Sequence, residues 1–266
     1  MSDAERRSQL KACCATFYEG DLARLLLGEV FHPGGLALTT HLGETIGLKQ
    51  SDHVLDVACG RGLSAVDLAE VFGCRVTGID YGGENVAAAQ ALAQARGLAE
   101  RTAFRQADAE GLPFADGGFD AVIVECSFCT FPNKKAAAAE MARVLRPGGR
   151  VALTDMTVSG SLPHQLHSLL SWVACISGAG RVEDYVAILG AAGFEAFVVE
   201  DQRQALLELV TEVRRRLLVA ELAVALKRID LGGVDLPEAK GLATLARELI
   251  EDGTVGYALV VATKAR

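Results

Sequence analysis

The chain has 266 residues, half of them apolar and 23% charged, with a formal net charge of −8. That is long enough for one large globular unit with a substantial core, and too apolar for a disordered chain. The acidic balance excludes a general nucleic-acid binder, which needs a lysine and arginine footprint to neutralise phosphates, so small-molecule partners are expected. The opening MSDAERRSQLKACC lacks the pattern of a secretory leader, and no apolar run reaches membrane-spanning length, so a cytoplasmic protein without a membrane partner is expected. In a reducing compartment the seven cysteines are expected as thiols, available for packing or for chemistry.

Residues 10–48 read as helical with a break at PGG, and residues 1–49 are expected to form an N-terminal helical cap on a main domain of residues 50–266. Short apolar strands follow at VLDVA (54–58), CRVTGID (74–80), TAFRQAD (102–108), FDAVIVE (119–125) and RVALTDM (150–156). Between them lie helical patterns at LSAVDLAEVF, at ENVAAAQALAQARG ended by Gly97, and at NKKAAAAEMARVL ended by a turn at PGG (147–149). Two helical stretches are expected across Leu162 to Phe194. EAFVVED (195–201) and VGYALVVATKA (255–265) read as the last strands, with helices over 203–229 and 237–253 between them. Strands alternating with helices of this length predict a parallel sheet covered on both faces, with ligands beyond the carboxyl ends of its strands.

Those strand ends carry the candidate chemistry. The first runs into DVACGRG (56–62), where Gly60 and Gly62 allow a tight turn and close approach of a ligand. Gly60-x-Gly62-x-x-Ala65 also satisfies the dinucleotide fingerprint, which keeps a nicotinamide oxidoreductase among the alternatives, though last. Asp80 ends the second strand, where a carboxylate can accept two bonds from ribose hydroxyls. The fourth ends in Glu125-Cys126-Ser127-Phe128-Cys129, with no histidine placed as an evident base. His164-x-x-His167 has helical spacing without the companions of a metal site.

VLDVACGRG, GID, QADAEGLPF and RVLRPGGRVALTD, in this order, resemble the motifs of class I S-adenosylmethionine-dependent methyltransferases over about residues 50–156. The resemblance implies an α/β, doubly wound, Rossmann-like seven-stranded sheet with its last strand antiparallel, here with N-terminal helices and a helical insertion before that strand. It implies S-adenosyl-L-methionine as cofactor, with Asp56 near the amino-acid end, Ala58, Cys59, Gly60 and Gly62 beneath it, Asp80 and Tyr81 at the ribose, Asp108 and Ala109 at the adenine, and Glu125 at the methyl-transfer edge.

CSFC (126–129) together with ACISGAGRVEDYVAILGAAGF resembles, more narrowly, the arsenite methyltransferases. By that resemblance Cys126 and Cys175 bind a trivalent arsenical or another soft acceptor as thiolates, with a third thiol from the N-terminal region, for which Cys13 and Cys14 are the candidates. The chemistry is self-consistent, because thiolates select soft centres and an arsenic lone pair attacks a sulfonium methyl with no proton to remove. Cys129 is a spare ligand or inert. Two alternatives stand beside this reading: methylation of an organic metabolite with packing cysteines, and a non-catalytic metalloid-binding or thiol-sensing protein. The charged, alanine-rich helices near the C-terminus leave an oligomer open.

Overall fold

A computed structural model describes residues 3–163, 175–176, 178–225 and 235–266. Three helices come first, α1 (Asp3–Glu19), α2 (Asp21–Leu27) and α3 (Gly35–Thr45). Then β1 (His53–Val57), α4 (Leu63–Phe72), β2 (Arg75–Asp80), α5 (Gly83–Ala95), β3 (Thr102–Gln106), β4 (Phe119–Glu125), α6 (Lys134–Val144) and β5 (Leu145–Val158) alternate as the pattern predicts. The chain ends with α7 (Val182–Ala191), β6 (Phe194–Asp201), α8 (Arg203–Ala225), α9 (Leu236–Glu251) and β7 (Val255–Lys264).

The seven strands form one sheet in the order β3-β2-β1-β4-β5-β7-β6. β7 runs antiparallel to both its neighbours, while the other described pairings are parallel. The expected architecture is therefore present, with α8 and α9 as the insertion before the last strand. β1 and β4 are apolar on both faces because helices cover both. Leu38, Leu42, Val66, Leu68 and Ala89 from α3, α4 and α5 belong to one buried cluster, and Ala138, Met141, Tyr185 and Leu189 from α6 and α7 to a second. Residues of α3 thus share a core with the sheet, which ties the N-terminal segment to the rest.

Two elements differ from the sequence reading, and parts of two helices lie outside the described residues. β3 stops at Gln106, the Ala107 N–H makes the last bond of the β2–β3 ladder to the Asp80 carbonyl at 3.0 Å, and Asp108 sits in a turn that bridges to Gly111. The PGG turn lies inside the long β5, with Gly148 at φ 74° beside a register shift against β4. The helix expected after Leu162 falls largely on residues 164–174 and 177, outside the described residues, as do residues 226–229 of the helix expected over 203–229. None of the described helices is long and apolar enough to cross a membrane.

Candidate active site

β1 and β2 end side by side, and the loops that leave them build the floor of a cavity. Ala58 (φ 61°), Gly60 (φ 53°) and Gly62 (φ 81°) all take left-handed backbone, which folds the chain tightly between β1 and α4. A Cβ on Gly62 would sit 2.6 Å from the Ala89 Cβ, so glycine is required there for helix packing as well as for turning. Asp80 holds this loop: its Oδ2 accepts from the Gly60 N–H at 2.8 Å, and its Oδ1 accepts from the Gly82 N–H at 2.8 Å and from Asn85 Nδ2 at 3.2 Å. A carboxylate has about four lone-pair sites, so Asp80 keeps about one for a ligand, fewer than the two the sequence suggested.

The cavity encloses about 1120 Å³, counting space open to solvent. Asp56, Ala58, Cys59, Gly60, Asp80, Tyr81, Asp108, Ala109, Glu125, Cys126 and Cys14 all line it. Gly62 does not, because it serves as the cap of α4. Cys175 does not either; it lies behind the wall, where its Sγ contacts the Cys126 carbonyl at 3.3 Å. Cys129 is buried with it, and Cys13 is not among the lining residues.

The wall is acidic. Asp56 is almost fully buried, and its Oδ2 has no hydrogen-bond partner. Burial pushes its carboxyl well above the usual range, and the nearby Glu125 and Asp80 add to the shift. An orphaned carboxylate oxygen aimed into a cavity calls for a cation, and a ligand ammonium supplies one. At the far corner Lys11 of α1 pairs with Asp108 and Glu110, both at 2.7 Å; burial works against its charge, yet the hydrogen bonds to these two acids raise its pKa.

Cys126 and Cys175 both sit in left-handed backbone, φ 50° and 63°, which few non-glycine residues adopt, and their side chains converge. Hydrogen bonds from Cys126 and Cys129 hold the Cys175 thiol well below its ordinary range despite its burial, and the Tyr18 hydroxyl at 3.5 Å adds a third. The Cys126 thiol rises through its bond to Cys175 and its burial, and the Cys129 thiol rises chiefly through burial. The shifts favour negative charge on Cys175 over Cys126 and Cys129. Asp155 behind it is pushed up to about 7 by burial and the Cys175 charge. Among the described residues no set of three or more His, Cys, Asp or Glu side chains is arranged to hold a metal ion.

The sequence reading missed a second polar cluster. His32, in the turn before α3, lines the cavity with Ser64 of α4, and Thr39 and Glu125 lie beside them. Thr39 donates to both Glu125 oxygens at 3.0 and 3.1 Å. In sequence His32 is 32 residues from Ser64 and 93 from Glu125, and the only signal was the HPGG turn that positions it.

The profile of the methyltransferase-domain family matches residues 55–153, the segment that builds β1 to β5. The chain is 31% identical over 232 residues to the 27-O-demethylrifamycin SV methyltransferase of Amycolatopsis mediterranei, covering 85% of this chain and 82% of that one. It belongs to the class I S-adenosylmethionine-dependent methyltransferases. This methyltransferase is also 34% identical over 170 residues to methyltransferase GfsG of Streptomyces halstedii, spanning 63% of this chain but only 61% of that protein. Its fold superposes on the Haemonchus contortus phosphoethanolamine N-methyltransferase 2 bound to S-adenosylhomocysteine, with a TM-score of 0.78 and 21% identity over 92% of this chain and 56% of that one. The cofactor is S-adenosyl-L-methionine, and the orphaned Asp56 oxygen suits its amino-acid end. Methyl transfer from this cofactor is the reaction of the family.

Proposed function

We propose that this methyltransferase transfers a methyl group to a hydroxyl of an organic small molecule. The observation that carries the reading is the composition of the cavity beyond the residues named for the cofactor: Tyr18, Val30, Phe31, Thr130 and Phe131 make a mostly apolar wall with a few hydroxyls. Such a wall suits an organic acceptor. The name of one relative agrees, since the methyltransferase of Amycolatopsis mediterranei is named for a 27-O-demethyl compound. In this reading Asp56 and Glu125 face the cofactor's ammonium, Asp80 and Tyr81 its ribose, and Asp108 and Ala109 its adenine, while residues 1–49 act as a cap that closes the cavity.

When bound, the cofactor supplies an electrophilic methyl. The acceptor's hydroxyl must lose its proton as it attacks. Tyr18 lines the cavity and its hydroxyl reaches Cys175, so the proton passes to the Tyr18 oxygen while Tyr18 gives its own to the Cys175 thiolate. Burial keeps the Tyr18 hydroxyl protonated, which suits a relay. Holding donor and acceptor in line can supply roughly 7–11 kcal/mol of the barrier lowering.

A second reading has its own observation. The meeting of Cys126, which lines the cavity, with Cys129 and Cys175 buried behind it also suits a soft thiophilic acceptor such as a trivalent arsenical. One experiment separates the two: reduced protein, methyl-labelled S-adenosylmethionine, and in parallel a panel of alcohols and phenols and a trivalent arsenical, with Cys126→Ser and Cys175→Ser variants. Labelled ether products, still formed by Cys126→Ser, support the organic acceptor. Labelled arsenic, lost in both variants, supports the thiophilic one.

A further inference from the structure

Lys134 carries its charge in a place that disfavours a cation. It is the first residue of α6, where the helix end has partial positive charge, and it is half-buried while Lys135 beside it is exposed. Burial pulls its pKa below the ordinary lysine value. An ammonium at such a site costs stability unless hydrogen bonds and negative charge compensate it.

The turn that follows β4 supplies the hydrogen bonds. Lys134 Nζ donates to the Cys129 carbonyl at 2.6 Å and to the Phe131 carbonyl at 3.2 Å. The same turn is tied by the Thr130 N–H to the Ser127 carbonyl at 2.9 Å and by the Cys129 N–H to Asp155 Oδ2 at 2.7 Å. Thr130 and Phe131 line the cavity, and the Cys129 thiol hydrogen-bonds to Cys175. The ammonium therefore grips a segment with the cavity wall on one side and the Cys175 thiol on the other.

The negative charge lies in the same place. Lys134 attracts negative charge on Cys129, Asp155, Cys175 and Glu110. Around Cys175 stand Tyr18 of α1, Cys126 and Cys129 of the turn, Lys134 of α6, Asp155 of β5 and Tyr185 of α7, with Tyr257 of β7 facing Cys126. Of these Asp155 opposes negative charge on Cys175, and Lys134 favours it. Both effects are strong in an interior of low dielectric.

We propose that Lys134 is a positioning residue for methyl transfer: it holds the turn at Cys129 and Phe131 and supplies positive charge that keeps Cys175 ready to take the proton of Tyr18. The proposal rests on the relay from Tyr18 to Cys175. Lys134 is not among the residues that line the cavity, so it acts through Cys175 and not on the substrate.

The test is titration of the Cys175 thiolate by its ultraviolet absorbance in the full chain, read as the difference between each protein and its Cys175→Ser counterpart. Wild type, Lys134→Met, Lys134→Gln and Lys134→Arg are compared across the range in which carboxyls and thiols titrate. Thermal melts confirm folding, and kcat is measured over the same range with the alcohols and phenols that turn over. Loss of the charge is expected to raise the thiolate midpoint by about one pH unit or more in both neutral variants. The low-pH limb of kcat should move with it, and Lys134→Arg should restore both. Should Lys134→Met fold poorly, Lys134→Gln, which keeps a donor for the carbonyls, carries the same comparison. A midpoint that stays in place in both neutral variants, or that moves as far in Lys134→Arg, would overturn the proposal. A Cys175→Ser enzyme with the wild-type kcat and pH profile would instead remove the relay, and the proposal with it.

Discussion

Replacing Asp80 by asparagine tests whether this one carboxylate organises the cofactor floor. The substitution is nearly isosteric, but an amide has one accepting oxygen where the carboxylate has two. Gly60 N–H donates to Oδ2, while Gly82 N–H and Asn85 donate to Oδ1. In the better orientation the new amide keeps the pair at Oδ1 and turns its own NH₂ toward the Gly60 N–H, leaving donor against donor. One hydrogen bond to a charged group, worth roughly 1.5–3 kcal/mol, is lost, and a backbone N–H goes unsatisfied at about 1–3 kcal/mol. Burial pushes the Asp80 carboxyl above its usual pKa, so a neutral side chain recovers part of this. The net expectation is destabilisation by about 2 kcal/mol and, with the glycine loop released, at least a tenfold loss of S-adenosylhomocysteine affinity, equivalent to about 1.4 kcal/mol. Urea unfolding and titration calorimetry read both quantities. Unfolding within about 0.5 kcal/mol of wild type, as for an ordinary surface substitution, together with unchanged affinity, would refute the reasoning.

Three further outcomes are expected. Asp56→Asn replaces a buried carboxyl whose Oδ2 has no partner and whose charged form burial disfavours, so the ligand-free protein should melt no lower than wild type while its S-adenosylhomocysteine affinity falls at least tenfold; a lower melting temperature would show that the carboxyl is already satisfied. Asp155, raised to about 7 in the folded state, binds a proton more tightly folded than unfolded, so its contribution is full below the ordinary carboxyl pKa and is lost as pH rises to about 7. Unfolding free energies from pH 4 to 8 should therefore fall less steeply in Asp155→Asn than in wild type, and parallel curves would count against the shift. Gly62→Ala forces a Cβ to within 2.6 Å of Ala89 at φ 81°, and overpacking of this kind costs about 1–3 kcal/mol, measurable as a reduced urea midpoint.

The fold was legible because its signals are local. β1, β2 and β4 are short, largely apolar runs, β2 and β4 ending in Asp80 and Glu125, and apolar spacing marks the helices between the strands. The cavity floor was legible for the same reason, since Asp56, Gly60 and Asp80 lie at or just beyond strand ends that the topology brings together. The meeting of Cys126 with Cys175 came instead from a resemblance, and the structure puts Cys175 behind the wall, not in the cavity. His32, Thr39 and Tyr18 could not be read, because their place depends on how α1 to α3 pack over the strand ends. No periodicity records that a turn histidine 93 positions before Glu125 comes within 3.6 Å of it. The free site on Asp80 was overestimated because its backbone donors, Gly60 and Gly82, arise from loop geometry and leave no trace in side-chain identity.

The most direct measurement of the central claim is the destination of the methyl carbon. With ¹³C-methyl S-adenosylmethionine and the hydroxylated acceptors that give turnover, nuclear magnetic resonance of the product should show a labelled methoxy carbon with stoichiometric S-adenosylhomocysteine, and the signal should weaken strongly in Tyr18→Phe. A label found on carbon or on arsenic, or tight cofactor binding with no transfer to any hydroxyl, would contradict the account.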